Sequence, residues 1–584
     1  MNLLAALALI AVAALHATTI PRTIWEYDEN LYAMGVERYE PLLHHPPPPG
    51  TPLYIGFAKQ IAALTATDPF HALVITSIVM LLLGLAAFTF AFRELSGNLA
   101  IGVVGTVLLY TSPSMLISGT VPQSDVGALA LLGFAIWACA RGNPIAIGLL
   151  CAASIGWRLQ FSVAVVPLFV VAVLLLRTWR ARAIALVTFG LGCLAWFVPL
   201  VIATGGPASW WHWLAGQAAY YAEHDSHLSR SGVSTAQIAF RFLAHPWGPK
   251  WLSLPLLLLA IAGSAMWPKW GRPLAGRTAG GPPAVTTDEG DLRPAAGQRP
   301  APHRLPLAIS ALVYFAFALS TMDPADAVRY AIPALPFIAL LAATALRRVP
   351  WIAIVYVAGA YFYAFPILHA RATSDAPPAA AAAWIRKNVS RDSIILYDLA
   401  LGPHVDNLLR GWKKTRGDVD PAVPVVVFAD GERGDAQGVT FRWPDTDAYR
   451  KLTRQHYGAV SVIPLPRAQR YRVIEGVYAP ERLRDGTSWR WLGARAVLEL
   501  PNLGATEVRL VFRIPPDYPF ESNRLRVGPA IVDLRRDMTV EVGIPYSPRI
   551  TIEPERSFVP ARIAGANNRD TRTLSVMLAK VEQR

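Results

Sequence analysis

The chain has 584 residues, too many for one ordinary domain; 53% are hydrophobic and only 16% charged, with a mean hydropathy of +0.34. Those proportions exclude a wholly soluble protein and point to an integral membrane protein. The net charge of +14 reads first as membrane orientation and contact with anionic lipid; no basic stripe carries interleaved aromatics, so nucleic acid is not an expected partner.

Hydrophobicity is concentrated before residue 370, and the rest reads as polar. The opening stretch Met1–Ala17 is apolar, lacks a basic leader and lacks a convincing cleavage pattern, so a retained first helix is expected. A spanning helix needs about 20 apolar residues. Eleven segments qualify: 2–20, 70–92, 98–118, 122–140, 143–157, 160–176, 183–204, 251–268, 305–320, 329–346 and 350–370. Cys139, Cys151 and Cys193 all lie in apolar runs, which argues against a disulfide framework or a thiolate metal site.

Arg93, Arg141, the Arg177/Arg180/Arg182 cluster, the basic 269–304 loop and Arg347–Arg348 all fall on one side if the N-terminus is cytoplasmic. That orientation puts the 21–69, 205–250 and 321–328 loops and the whole C-terminal region on the outer face. A multi-pass protein of the cytoplasmic (inner) membrane is expected. Residues 271–303, rich in Gly, Pro and Ala, read as a disordered cytoplasmic linker.

The polar region divides in two. Residues 376–465 read as α/β, with a helix over Pro377–Val389 and short strands at 394–397 and 423–428. Residues 466–584 carry strand patterns at 495–500, 507–514, 538–544, 549–553 and 573–581, at the spacing of a β-sandwich. Glycan binding and a plain docking role are both open for that part.

The first outer loop carries the chemistry: Trp25-Glu26-Tyr27-Asp28-Glu29-Asn30-Leu31-Tyr32, then His44-His45 and a proline run to Tyr54. Adjacent carboxylates at a membrane mouth are costly unless they have a use. Asp28 is read as a helix N-cap or as a general base for a hydroxyl acceptor. The prolines predict a stiff, extended polyproline course, followed by an interfacial helix over Leu53–Leu64. Adjacent histidines rarely ligate one ion, so structural or hydrogen-bonding roles lead for His44 and His45. No metal ligands are assigned, and a divalent metal stays open as a cofactor. Asp125 is either another N-cap or a group that orients substrate. Arg158 and Arg329, at outer ends of spans, either snorkel to headgroups or clamp a phosphate. The aromatic 205–250 loop, with Trp210, Trp211, Trp213, Tyr220, Tyr221, Glu223, His224 and Asp225, suits an aromatic belt, sugar stacking, or both.

Asp28-Glu29-Asn30-Leu31-Tyr32-Ala33 with His45-Pro46-Pro47…Pro52-Leu53-Tyr54 resembles the first outer loop of polytopic GT-C glycosyltransferases. These include protein O-mannosyltransferases, lipid A aminoarabinose transferases and RgtA/B/C/D-like proteins. Gly156-Trp157-Arg158-Leu159, Arg329-Tyr330…Pro333…Pro336 and Trp384-Ile385-Arg386-Lys387-Asn388 resemble later motifs of that family. The chain departs from it by four prolines and a Gly-Thr where a direct His-Pro-Pro-Leu-Tyr is common.

The resemblance implies a GT-C-like transmembrane catalytic domain over 1–370, with the α/β and β-sandwich regions outside the membrane. It implies inverting transfer of a sugar from a polyprenyl-phosphate donor to a lipid, glycan or protein acceptor at the outer face. Carried over, Asp28 is the base and Glu29 its acceptor-orienting partner. Arg158 and Arg329 contact the phosphate, with Tyr330, Asp125, His45 and Tyr54 as further substrate-binding candidates. The alternatives are a transporter or flippase for polyprenyl-linked glycans, for which repeated halves are expected but not found, and a non-catalytic glycan-binding scaffold.

Overall fold

A computed structural model describes residues 3–584 apart from 225, 227–233, 267–304, 324–325, 418, 434–437, 454–456, 483–487 and 564–569. The expected 271–303 linker and Asp225 lie outside the described residues. The chain packs as two compact units. The first comprises Met1–Ile24, Leu31–Ser374 and Pro444–Gln455; the second comprises Trp25–Asn30, Asp375–Trp443 and His456–Arg584.

The first unit is helical. Each of the eleven expected spans coincides with helix, but several are shorter than a full crossing. Among the described residues, four runs are long and apolar enough to cross a membrane: Pro69–Ser96, Trp179–Ala203, Ala327–Arg348 and Ile352–Asn388. A fifth arises if Thr235–Trp247 and Lys250–Met266, bent by 96°, count as one broken span. Leu3–Ala17, Leu99–Tyr110, Pro144–Trp157, Leu159–Leu175 and Leu305–Thr321 are apolar but shorter.

The shortening has local causes. The expected 98–118 span breaks where the Ser112 side chain accepts the Met115 N–H and Pro113 takes the first position of a new helix, Pro113–Ser118. Between the Asp125–Arg141 and Pro144–Trp157 helices, Gly142 turns in the left-handed region at φ +66°, and the Asn143 side chain accepts from Ala146 N. The long Pro69–Ser96 helix is capped by Asp68, which accepts from Phe70 and His71 N–H, and closes at Gly97.

The proline run does not take the extended course its composition predicts. His44 and Thr51 are left-handed, Gly50 N–H donates to Pro47 O at 2.9 Å, and Glu40 and His45 form an antiparallel bridge. These backbone hydrogen bonds fold the segment onto itself, whereas polyproline II has none. Gly35 permits the close approach, since a Cβ there would sit 2.8 Å from Pro46 N.

The second unit is α/β followed by β. Strands β1 (Ile394–Tyr397), β2 (Lys413–Thr415), β3 (Val425–Asp430), β4 (Val439–Arg442) and β5 (Ala459–Leu465) form one sheet in the order β2-β1-β3-β5-β4. β1 is parallel to both β2 and β3, and β5 runs antiparallel to β3 and β4. The eight further strands are β6 (Arg472–Arg482), β7 (Ser488–Glu499), β8 (Glu507–Ile514), β9 (Ser522–Val527), β10 (Ala530–Arg535), β11 (Met538–Pro545), β12 (Arg549–Pro554) and β13 (Met577–Gln583). Their sheet runs β10-β9-β12-β7-β13-β8-β11, with β6 on the other edge of β7. β8 alternates between buried and part-exposed positions along its length, and Leu498, Leu510, Phe512, Leu525 and Ile552 share its core.

Candidate functional site

In the helical unit one carboxylate gathers two arginines. Asp125 opens the Asp125–Arg141 helix, and its Oδ2 accepts from Arg158 Nη1 at 3.1 Å and from Arg329 Nε at 3.0 Å. Arg158 lies between the Pro144–Trp157 helix and the Leu159–Phe161 turn, in extended backbone that ends the first helix. Arg329 sits in the short Ala327–Tyr330 helix, just before Pro333 and Pro336. The Asp125 and Arg158 side chains are 3% and 9% exposed, and that of Arg329 is 20% exposed.

The cluster is braced by neutral groups. Arg158 Nη1 also donates to Ser124 Oγ at 2.9 Å, and its Nη2 donates to Gln160 Oε1 at 3.0 Å. Tyr32 OH lies 3.2 Å from Ser124 Oγ. The Tyr32 ring meets Tyr54 edge-on with centroids 5.2 Å apart, and Tyr54 packs at 5.7 Å on Trp157. The Tyr32 and Tyr330 phenols are within electrostatic reach of Arg158. Gly127, in the first turn of the Asp125–Arg141 helix, leaves room for the Trp157 indole, with which any Cβ there would collide.

Two guanidiniums converge on one carboxylate oxygen in a mostly buried setting. Arg158 Nε is buried with no hydrogen-bond partner among the described residues. A buried N–H without a partner is costly, and an anion's oxygen is the natural group to supply one. The arrangement suits capture of a phosphate next to Arg158 and Arg329.

The expected site residues therefore separate. Arg158, Arg329, Tyr330, Asp125 and Tyr54 come together in the helical unit. Asp125 is neither a simple N-cap nor remote: it orients both arginines. Tyr32, Ser124 and Gln160 join the cluster without having been singled out; the signal was polar residues directly beside Asp125 and Arg158 in apolar surroundings. His45 is held by its backbone bridge to Glu40.

Asp28 and Glu29 lie in the first turn of the Tyr27–Glu37 helix. Asp28 is the second residue of that helix and not its cap position, and Glu29 makes capping contacts. Glu29 is fully buried, and its Oε2 accepts from Trp25 N at 2.8 Å and Glu26 N at 3.2 Å. A glutamate three residues after the cap position, reaching back to the cap N–H, is half of a capping box. Asp28 is half-buried. Among the described residues, no three His, Cys, Asp or Glu side chains form a metal-holding group.

No protein-family model and no curated protein matches this chain. Among solved structures it is similar to ArnT from Cupriavidus metallidurans bound to undecaprenyl phosphate, with a TM-score of 0.46 and 15% identity over 78% of this chain and 97% of that one. It is similar to the Archaeoglobus fulgidus oligosaccharyltransferase in the apo form, at 0.46 and 10% over 95% and 96%. It is also similar to the arabinofuranosyltransferase AftD from Mycobacteria, at 0.40 and 11% over 100% and 62%. All three TM-scores lie below 0.5, and no residue's role is carried from those structures to this chain.

Proposed function

We propose that this chain is a GT-C-type membrane glycosyltransferase that moves a sugar, with inversion, from a polyprenyl-phosphate donor to an acceptor hydroxyl at the outer membrane face. The observation that carries the reading is the Arg158–Asp125–Arg329 cluster with its buried, unmatched Arg158 Nε. Arginine's planar fork suits phosphate, and a shared carboxylate keeps two such forks oriented at low mutual repulsion.

In the proposed reaction the acceptor oxygen attacks the anomeric carbon as the bond from that carbon to the phosphate oxygen breaks. Asp28 takes the acceptor proton as general base. Negative charge grows on the departing polyprenyl phosphate, and Arg158 and Arg329 stabilise it. A lipid phosphate leaves readily, so no general acid is required. A single displacement inverts the anomeric centre. Glu29, engaged in capping, supports the backbone that carries Asp28.

The test uses the purified full-length protein, a panel of radiolabelled polyprenyl-phosphate sugars and a crude envelope acceptor. Wild type is expected to transfer label, and Asp28→Asn to lose transfer by about a hundredfold or more. Full transfer by Asp28→Asn removes Asp28 from the base role. Absence of transfer from every donor by wild type removes the reaction class.

A further inference from the structure

The α/β sheet has a point where a crevice is expected. β1 is parallel to β2 on one side and β3 on the other, so the connections diverge beyond the carboxyl ends of β1 and β3. In open α/β sheets that position is where ligands bind. Here it is surrounded by Asp398 after β1, the Gly402–Leu408 helix that follows, and Asp430 at the end of β3.

The chain's own Trp25–Asn30 segment is bound by the Gly402–Leu408 helix, although some 380 residues separate them in sequence. His404 Nε2 donates to Trp25 O at 2.8 Å. Asn407 Nδ2 donates to Asn30 Oδ1 at 3.0 Å, and Asn30 Nδ2 in turn donates to Glu26 O at 2.9 Å. Trp25 packs on Trp443 with centroids 5.4 Å apart. His404 packs at 4.6 Å against Tyr457, whose phenol is within electrostatic reach of Glu26, Asp28 and Asp430.

We infer that the α/β domain is a clamp for the segment bearing Asp28, with His404 and Asn407 as positioning residues that fix it at both ends. His404 is fully buried, and burial pushes it down to about 4, so near neutrality its imidazole is uncharged with Nε2 as the donor. Glu29 stiffens the same segment from within. The helix that follows β1 thus holds a piece of this protein. This inference rests on the proposed role of Asp28 for its catalytic consequence, but not for the clamp itself.

The experiment has two readouts. The first is hydrogen exchange of the Trp25–Asn30 amides in full-length wild type, His404→Ala, His404→Gln and Asn407→Ala. Loss of protection confined to this segment is expected in both alanine variants, with recovery in His404→Gln, whose amide can still donate to Trp25 O. The second is steady-state transfer with the same radiolabelled polyprenyl-phosphate sugars. His404→Ala is expected to lower kcat by about tenfold to a hundredfold, with the donor KM unchanged, as displaced catalytic groups do. His404→Ala added to Asp28→Asn is expected to cost nothing further, which a general loss of folding would not reproduce. Unchanged exchange in both His404→Ala and Asn407→Ala overturns the clamp. Lost protection with full transfer by Asp28→Asn keeps the clamp and overturns the base.

Discussion

Arg158 and Arg329 donate to the same oxygen, Asp125 Oδ2, from residues 171 positions apart in sequence (329 − 158). Two guanidiniums this close and this buried repel each other unless a carboxylate lies between them. Asp125 therefore sets both the stability of the cluster and the direction of its donors.

Removing that carboxylate takes a shared partner from both guanidiniums, the buried Arg158 and the part-exposed Arg329. Breaking a buried pair costs about 3–5 kcal/mol, and here one deletion breaks two pairs. Asp125→Ala is expected to lower the melting temperature in detergent more than Arg329→Ala does, because Arg329 is part-exposed and can reach water. Asp125→Asn keeps the shape and removes the charge. It should be about 1 kcal/mol more stable than Asp125→Ala, yet lose transfer. A larger loss of stability in Arg329→Ala than in Asp125→Ala contradicts the account.

Lysine separates charge from geometry. Arg158→Lys keeps the cation but cannot hold Ser124, Asp125 and Gln160 with a planar fork. Its donor KM is expected to rise by about tenfold or more, measured with the lipid-linked sugar as the varied substrate. Arg158 and Arg329 variants that change kcat and leave donor KM untouched argue against a ground-state phosphate contact.

The two carboxylates of the first loop should part company. Asp28→Asn is expected to abolish transfer with an unchanged melting temperature. Glu29→Ala removes the acceptor for two backbone N–H groups and should destabilise by about 0.5–2 kcal/mol, with part of the activity retained. The pair of measurements, melting and transfer, assigns base and cap. If Glu29→Ala loses all transfer without destabilisation, the roles are reversed.

Much of the helical unit was legible in the sequence because apolar runs, flanking arginines and Pro/Asn/Gly punctuation are local signals. Every expected span contains helix, and the Gly142 break follows from residues anyone can read. Full crossings were less legible, since a run of apolar residues does not reveal that Ser112 will cap a new helix inside it. The site was legible as a set of residue types but not as a circuit. Asp125 and Arg329 are linked by tertiary packing, which no spacing announces. The assignment of capping to Glu29 needed only the rule that the third helical position reaches back, with the cap two residues earlier than Asp28. The attachment of Trp25–Asn30 to His404 and Asn407 had no sequence signal at all, because it joins segments several hundred residues apart.

Gly127 offers a steric test of the same cluster. An added Cβ would run into the Trp157 indole, which packs on Tyr54 and Phe57 and immediately precedes Arg158. Overpacking of this kind costs about 1–3 kcal/mol. Gly127→Ala is expected to fold with a modestly reduced melting temperature and a raised donor KM, because the shift of Trp157 moves Arg158. Normal donor KM in a folded Gly127→Ala protein detaches the aromatic wall from phosphate capture.

His404 gives the second unit a defined acid response. Its ordinary value is 6.5, and burial lowers it to about 4 in the folded protein. Between those values the unfolded chain binds the proton and the folded chain does not, so stability falls as pH drops from about 6.5 towards 4 and is fully present above that window. The loss is roughly 3 kcal/mol across the window. Glu26, Asp28 and Asp430 lie near the His404–Tyr457 contact, so the informative quantity is the difference between two proteins. Melting of full-length wild type and His404→Gln is compared at pH 7 and at pH 4.5. The wild type is expected to lose more stability on acidification than His404→Gln, and equal losses refute the assignment of this acid sensitivity to His404.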